Sequence, residues 1–292
     1  MSAPLRTRTR VASLAGQRTL TVGMIGAGRV GTVLASALRR AGHRVTLLPR
    51  EPSPADTRRS DLIVFAVPDD VLAPLVAHLT EERAFGPGQV IVHTSGAHGI
   101  GILHPAVARG ARPLALHPAM TFTGRPDDVE KLAGISYGVT APDDIKPLAE
   151  RLVRDLGGVP EWIAERDRAL YHTALAHGAN HLVTLVNEAL DLLRDAGTVH
   201  PEKVLGPLLR AALDNTLRLG DAALTGPVSR GDAGTVAKHL DRLAATAPES
   251  LPPYVALARR TADRAIAAGR LRPIDAESLL DVLADAREQA AL

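Results

Sequence analysis

The segment from Thr19 to Gly31 limits most tightly what this chain can fold into. An apolar run, Thr19 to Ile25, feeds directly into Gly26-Ala27-Gly28-Arg29-Val30-Gly31, and the next residues to Arg40 place Val30, Val33, Leu34, Ala37 and Leu38 on one helical face. Gly42 ends that helix, and Arg44 to Leu48 reads as a second strand. Strand, glycine turn, helix and strand in this order form a mononucleotide-binding unit. The first glycine permits the tight turn, the second lets a pyrophosphate approach the backbone, and the third allows the helix to pack closely on the strand. The helix N-terminus then offers unpaired N–H groups and a partial positive charge to the phosphates. The spacing therefore assigns Gly26, Ala27, Gly28, Arg29, Val30 and Gly31 to a nicotinamide dinucleotide.

The rest of the chain divides by periodicity. Leu62 to Val67 and Gln89 to Thr94 are continuous apolar runs, as expected of parallel strands buried on both faces. Pro113 to Leu116, Ile135 to Thr140 and Val159 to Ile163 are weaker strands. Beyond them the strand signal ends. Arg166 to Ala196 reads as one long helix stopped by Gly197, followed by helices over Pro201–Leu219, Ala233–Ala244, Pro253–Ala268 and Ile274–Ala290. The prediction is an α/β fold. A Rossmann domain with a doubly wound, mostly parallel sheet spans residues 19–163, an all-α domain for substrate and dimerisation spans 164–292, and residues 1–18 form a disordered extension.

Cofactor choice is read at the end of the second strand. NAD enzymes place an acid there for the ribose 2′-hydroxyl. Here Leu48 is followed by Pro49, Arg50 and Glu51. Arg50 can fork onto a 2′-phosphate, which favours NADP over NAD, although Glu51 is one residue from the acidic position. Open α/β sheets bind ligands at the strands' carboxyl ends, so Val67, Pro68, Thr94 and Ser95 are expected to face the ribose and nicotinamide.

Composition excludes other classes. There is no cysteine, hence no disulfide or thiolate chemistry. Although the chain is basic, its formal net charge is +2, its aromatics make up 2% and its arginines are dispersed, which argues against nucleic-acid binding. No apolar run approaches the roughly 20 residues of a membrane span. His93, His98, His104 and His117 cluster in sequence but lack an acidic partner at ligand spacing, so no metal is predicted. A cytoplasmic location fits these features. The arginines at 6, 8, 10 and 18 in an acid-free N-terminus also fit a transit peptide.

The order of these pieces resembles the superfamily of 6-phosphogluconate and β-hydroxyacid dehydrogenases, ketopantoate reductase and pyrroline-5-carboxylate reductase. Closer still, the chain resembles a bacterial family of Rossmann-like proteins with a helical C-terminal domain. The resemblance rests on the glycine loop, Val92-His93-Thr94-Ser95-Gly96, His117-Pro118-Ala119-Met120-Thr121-Phe122 and Leu224-Thr225-Gly226-Pro227-Val228-Ser229-Arg230-Gly231-Asp232. It implies hydride transfer to a small 2-keto acid, ketopantoate being the first choice, and a homodimer made through the helical domain.

One departure bears on the chemistry. Keto-acid-reducing relatives carry a lysine four residues before an asparagine on the first long C-terminal helix; Asn180 matches the asparagine, but Ala176 stands at the lysine position. His177, one turn before His181 and close to Asn180, is the sequence-based candidate for the proton donor. Asn180 and Ser95 would position the substrate, and Arg230 would hold its carboxylate. Asn215 is a weaker candidate. Asp232 reads as a helix N-cap. The missing lysine leaves two other readings open. One is a pyrroline-5-carboxylate-type imine reductase, whose substrate arrives already protonated; the other is a non-catalytic dinucleotide sensor.

Overall fold

The computed structural model describes residues 13–17 and 19–289. Two compact units divide the chain, the first running through Ala179 and the second from Asn180.

The first unit is built on a seven-stranded sheet of order β2-β1-β3-β4-β5-β6-β7. Its strands are β1 (Thr21–Ile25), β2 (Arg44–Leu48), β3 (Leu62–Phe65), β4 (Val90–His93), β5 (Arg112–Pro118), β6 (Ser136–Thr140) and β7 (Val159–Trp162). All pairings are parallel except β5 with β6. The predicted mostly parallel sheet is therefore present. Chain order reverses between β1 and β3, which makes that crevice the topological switch point where such sheets bind ligands. β3 and β4 read Leu-Ile-Val-Phe and Val-Ile-Val-His and are buried along their whole length, which is why they show no alternation.

Helices cover both faces. Helix α1 (Arg29–Arg40) buries Val33, Leu34, Ala37 and Leu38. These residues share one core with Val22 and Met24 of the sheet and with Leu148 and Leu152 of a later helix. The other face is closed by α3 (Asp69–Glu81) and α4 (His104–Ala108), after the short α2 (Pro54–Arg58); Leu72, Val76 and Leu79 pack there on Ile63, Phe65 and Ile91. Helix α5 (Lys146–Asp155) precedes β7. A disordered extension through residue 18 does not hold for its described part. Residues 13–16 form a helical turn whose Leu14 is 1% exposed, and Arg151 donates to the Leu14 carbonyl. Residues 1–12 and 18 of that expected extension lie outside the described residues.

The predicted 30-residue helix is interrupted. It runs as α6 (Arg168–Leu175), a π-helical turn (Ala176–Asn180) and α7 (His181–Asp195). Gly178 inside that turn weakens α-helical bonding, and π-bulges are frequent at functional sites. The second unit continues with α8 (Pro201–Leu219), α9 (Ala233–Thr246), α10 (Leu251–Ala267) and α11 (Pro273–Gln289). Its core is formed by Val236 and Leu240 of α9, Val255 and Ala262 of α10, and Leu279 and Leu283 of α11. Helix α8 has Pro201 as its single buried residue and leaves Leu208, Leu213 and Leu217 exposed.

Candidate active site

The glycine loop has the geometry that its sequence predicts. Gly26 sits at φ +104°, where an added Cβ would lie 2.3 Å from the Ala66 carbonyl oxygen. A Cβ on Gly31 would lie 1.9 Å from the Gly26 carbonyl oxygen, so α1 approaches the loop as closely as glycine allows. At Gly28 a Cβ would meet nothing within 4 Å. The middle glycine thus borders open space, as a pyrophosphate site requires. No side chain caps the N-terminus of α1, and its first turn carries no acid, so the helix's own residues leave its positive end unneutralised. A cavity of about 480 Å³ opens beside it, lined among others by Gly28, Arg29, Thr32, Ser36 and Arg125. The loop after β5 borders the same place. Asp128 accepts hydrogen bonds from the backbone N–H groups of Thr123 and Gly124, and the Gly124 turn packs against the Arg29 side chain. Arg50 is exposed just past β2 and makes no hydrogen bond or ion pair with any described residue; Glu51, beside it, is exposed as well. The residues present fit a nicotinamide dinucleotide, whose pyrophosphate the Gly26-to-Gly31 loop would hold.

The carboxyl ends of β3 and β4 lie next to this loop. Val67 touches the position that a Gly26 Cβ would fill, and Pro68 is the N-cap of α3. Thr94 is tied to the Phe65 carbonyl by its N–H at 3.1 Å and its hydroxyl at 3.3 Å. Ser95 is buried, and its hydroxyl accepts from the His98 N–H. His93 is fully buried. Its Nδ1 accepts from the Ser95 N–H, which leaves Nε2 to donate to the Gly99 carbonyl. Burial holds its pKa at about 4, with Arg168 pushing the same way, so the ring is neutral near pH 7.

The centre of this edge is a group that sequence reading did not single out. Arg168, in the first turn of α6, is 1% exposed. Its guanidinium donates to three backbone carbonyls: Ser95 at 2.5 Å, His98 at 2.9 Å and Gly138 at 3.0 Å. It thereby ties α6 to the β4 end, the loop beyond it and β6. One turn on, the Tyr171 hydroxyl lies 3.0 Å from His117 Nδ1 at the end of β5, and the His172 ring meets His117 edge-on. Burial, then Arg168 and His172, hold the His117 pKa at about 4. Burial raises the Tyr171 pKa above its ordinary range, against the pull of Arg168. The cluster therefore pairs a protonated phenol with a neutral imidazole. Glu165 accepts from the N–H groups of Ile100 and Gly101 and so caps the turn over residues 100–103. Nothing in the sequence distinguishes Arg168 from the other arginines. Tyr171 carried a usable signal, being one of only three tyrosines.

The other predicted residues are distributed as follows. His177 is exposed on the π-helical turn near the end of the first unit. Asn180 and Arg230 both belong to the second unit and are exposed, Arg230 ending a 3-10 turn over Val228–Arg230. Asn215 is exposed on α8. Asp232 N-caps α9, its carboxylate accepting from the Thr235 N–H at 3.0 Å. The Thr225-to-Asp232 motif thus serves at least as the entry to that helix. Among the described residues, no group of histidines and carboxylates is arranged to hold a metal ion, and no helix is long and apolar enough to cross a membrane.

Comparison with known proteins agrees with this anatomy. The model of a Rossmann-like domain matches residues 7–51 and 45–118, and that of a domain of unknown function, DUF2520, matches residues 135–261. An NAD(P)+ glycerol-3-phosphate dehydrogenase from Halorhodospira halophila is 30% identical over 167 residues, 46% of this chain and 48% of its own length, so the chain spans about half of that relative. In three dimensions the chain is similar to a presumed NADP oxidoreductase from Bacteroides fragilis, at a TM-score of 0.70 and 22% identity, covering 84% of this chain and 99% of that one. It is also similar to pyrroline carboxylate reductase from Plasmodium falciparum, solved with NADP bound, at a TM-score of 0.57 and 12% identity, covering 90% of this chain and all of that one. Identities this low bear on the fold. The chain thus has a Rossmann-like fold in its first unit and matches the DUF2520 domain over residues 135–261.

Proposed function

We propose that this protein is an NADP-dependent oxidoreductase that reduces a small 2-oxo acid, with ketopantoate as the favoured substrate. The observation that carries the reading is the open, uncapped N-terminus of α1 at Gly28, set at the switch point of a sheet that carries Ser95 and His117 at the carboxyl ends of β4 and β5. When bound there, the nicotinamide supplies the hydride, and the protein supplies orientation and a proton. Arg50 is the basis for preferring NADP. Charge-assisted bonds contribute about 1.5–3 kcal/mol, so Arg50→Ala is expected to weaken NADPH binding about tenfold to a hundredfold while leaving NADH binding nearly unchanged. Titration of both cofactors by nicotinamide fluorescence measures this. Equal losses for the two would remove the 2′-phosphate role.

A second reading, an imine reductase of the pyrroline-5-carboxylate type, is supported by Ala176 in place of lysine and by the likeness to the Plasmodium enzyme. The exposed leucines of α8, Leu208, Leu213 and Leu217 among them, support homodimerisation through the helical unit, because several large apolar side chains on one helix are costly to leave in water. Sedimentation is expected to show a dimer that Leu208→Asp with Leu217→Asp converts to a folded monomer. A wild-type monomer would refute it.

A further inference from the structure

We infer that Tyr171, rather than His177, is the catalytic acid of this site, and that its target is a carbonyl oxygen rather than an imine nitrogen. The inference rests on the oxidoreductase reading above. Room for the phenol is cleared by two glycines on different elements. A Cβ on Gly138 of β6 would come 2.5 Å from the Tyr171 hydroxyl oxygen, and one on Gly96 would come 2.5 Å from the His172 ring and 3.0 Å from His117 Nε2. Any side chain at either position would push the aromatic group off the sheet's carboxyl edge, where the substrate of such a fold binds. Tyr171 and His117 are only partly buried, so a ligand can reach them. His177, by contrast, lies on the exposed turn beyond α6.

The charges facing the phenol suit an acid. Arg168 lies 5.5 Å from the Tyr171 ring centroid; its charge and a backbone hydrogen bond from Gly138 favour the phenolate, and the carboxylate of Glu161 on β7 opposes them. Around His117 stand Arg168, His172, His93 and, at the start of α3, Asp69. A neutral His117 carries one proton. Placed on Nδ1, it donates to the Tyr171 oxygen and leaves the phenol proton to point at the substrate.

The step balances simply. Hydride adds to the carbonyl carbon, the C=O π pair moves to oxygen, and that oxygen takes the proton as the Tyr171 O–H bond breaks. The tyrosinate is held by the His117 Nδ1–H and the Arg168 charge until it regains a proton from water. Overall, a 2-oxo acid, NADPH and one proton become a 2-hydroxy acid and NADP+. An iminium carbon accepts hydride without any such donor, because its nitrogen is already protonated. A built acid at this position therefore points to a C=O substrate.

The test compares wild type and Tyr171→Phe with NADPH and either ketopantoate or 1-pyrroline-5-carboxylate. Loss of a positioned acid lowers kcat about 10²- to 10⁴-fold. That loss is expected for the oxo acid, with NADPH affinity preserved and a much smaller effect on the imine. Wild-type oxo-acid reduction should stay flat from about pH 6 to about pH 9, since a phenol keeps its proton there, whereas an imidazolium donor would lose it near pH 6.5. Independently of turnover, nitrogen NMR of the apoprotein should show His117 neutral and protonated on Nδ1 at pH 6, with a shift that changes in Tyr171→Phe. Unaltered oxo-acid kcat in Tyr171→Phe, an equal fall for both substrates, or a rate that declines through pH 6.5 would overturn the assignment. Absence of wild-type turnover with either substrate would instead remove the oxidoreductase reading itself.

Discussion

Replacing Arg168 with methionine is expected to destabilise the sheet unit by about 3 kcal/mol or more, because each buried carbonyl left without a partner costs about 1–3 kcal/mol. Three carbonyls lose their donor at once, those of Ser95, His98 and Gly138, and methionine fills the space without offering an N–H. Lysine should recover only part of the loss, since a single ammonium on a flexible stem cannot reproduce a planar fork that serves three acceptors. Hydrogen exchange is the suitable measurement, because a two-unit chain need not unfold in one transition. Amides of β4, β6 and the turn at residues 95–101 should lose protection in Arg168→Met, with little change in α9 to α11. Wild-type protection in β4 and β6 would show that the guanidinium is dispensable there.

The second large effect separates two glycines of the same loop. In Gly31→Ala the new methyl would stand 1.9 Å from the Gly26 carbonyl oxygen, so α1 must move off the loop. Overpacking of this kind costs about 1–3 kcal/mol, and the displaced helix N-terminus can no longer present its N–H groups to a pyrophosphate. Gly28→Ala adds the same methyl where nothing lies within 4 Å. Its melting temperature should match wild type, yet NADPH affinity should fall about a hundredfold or more, as expected when steric exclusion forfeits about 3 kcal/mol. Thermal melts and NADPH titrations of both variants decide the matter. Undiminished binding in Gly28→Ala would mean that the cofactor phosphates lie elsewhere.

Much of the sheet unit was legible because its signals are local. Continuous apolar stretches mark β3 and β4, since both faces are covered, and three glycines at fixed spacing mark the cofactor loop. The antiparallel β6, by contrast, pairs with β5 through contacts that no periodicity encodes. The helix break at Ala176–Asn180 was hidden for a related reason: the apolar period continues across it, and only backbone bonding changes. The acid site was the least legible part. Tyr171 reaches His117 across 54 positions of sequence, and Arg168 reaches Ser95 across 73. Such pairs are set by topology, not by spacing. Spacing along the helix therefore points to His177, one turn from Asn180, as the proton donor, whereas the sheet edge presents Tyr171.

Hydride transfer to an oxo acid is the defining property expected of this site. Single-turnover mixing of the protein, NADPH and ketopantoate, followed by nicotinamide absorbance, reads this directly. The prediction is stoichiometric loss of the NADPH signal with formation of the 2-hydroxy acid, faster with NADPH than with NADH at equal concentration. Tight NADPH binding with no oxidation by ketopantoate, by other 2-oxo acids or by pyrroline carboxylate would contradict it and mark the protein as a dinucleotide sensor.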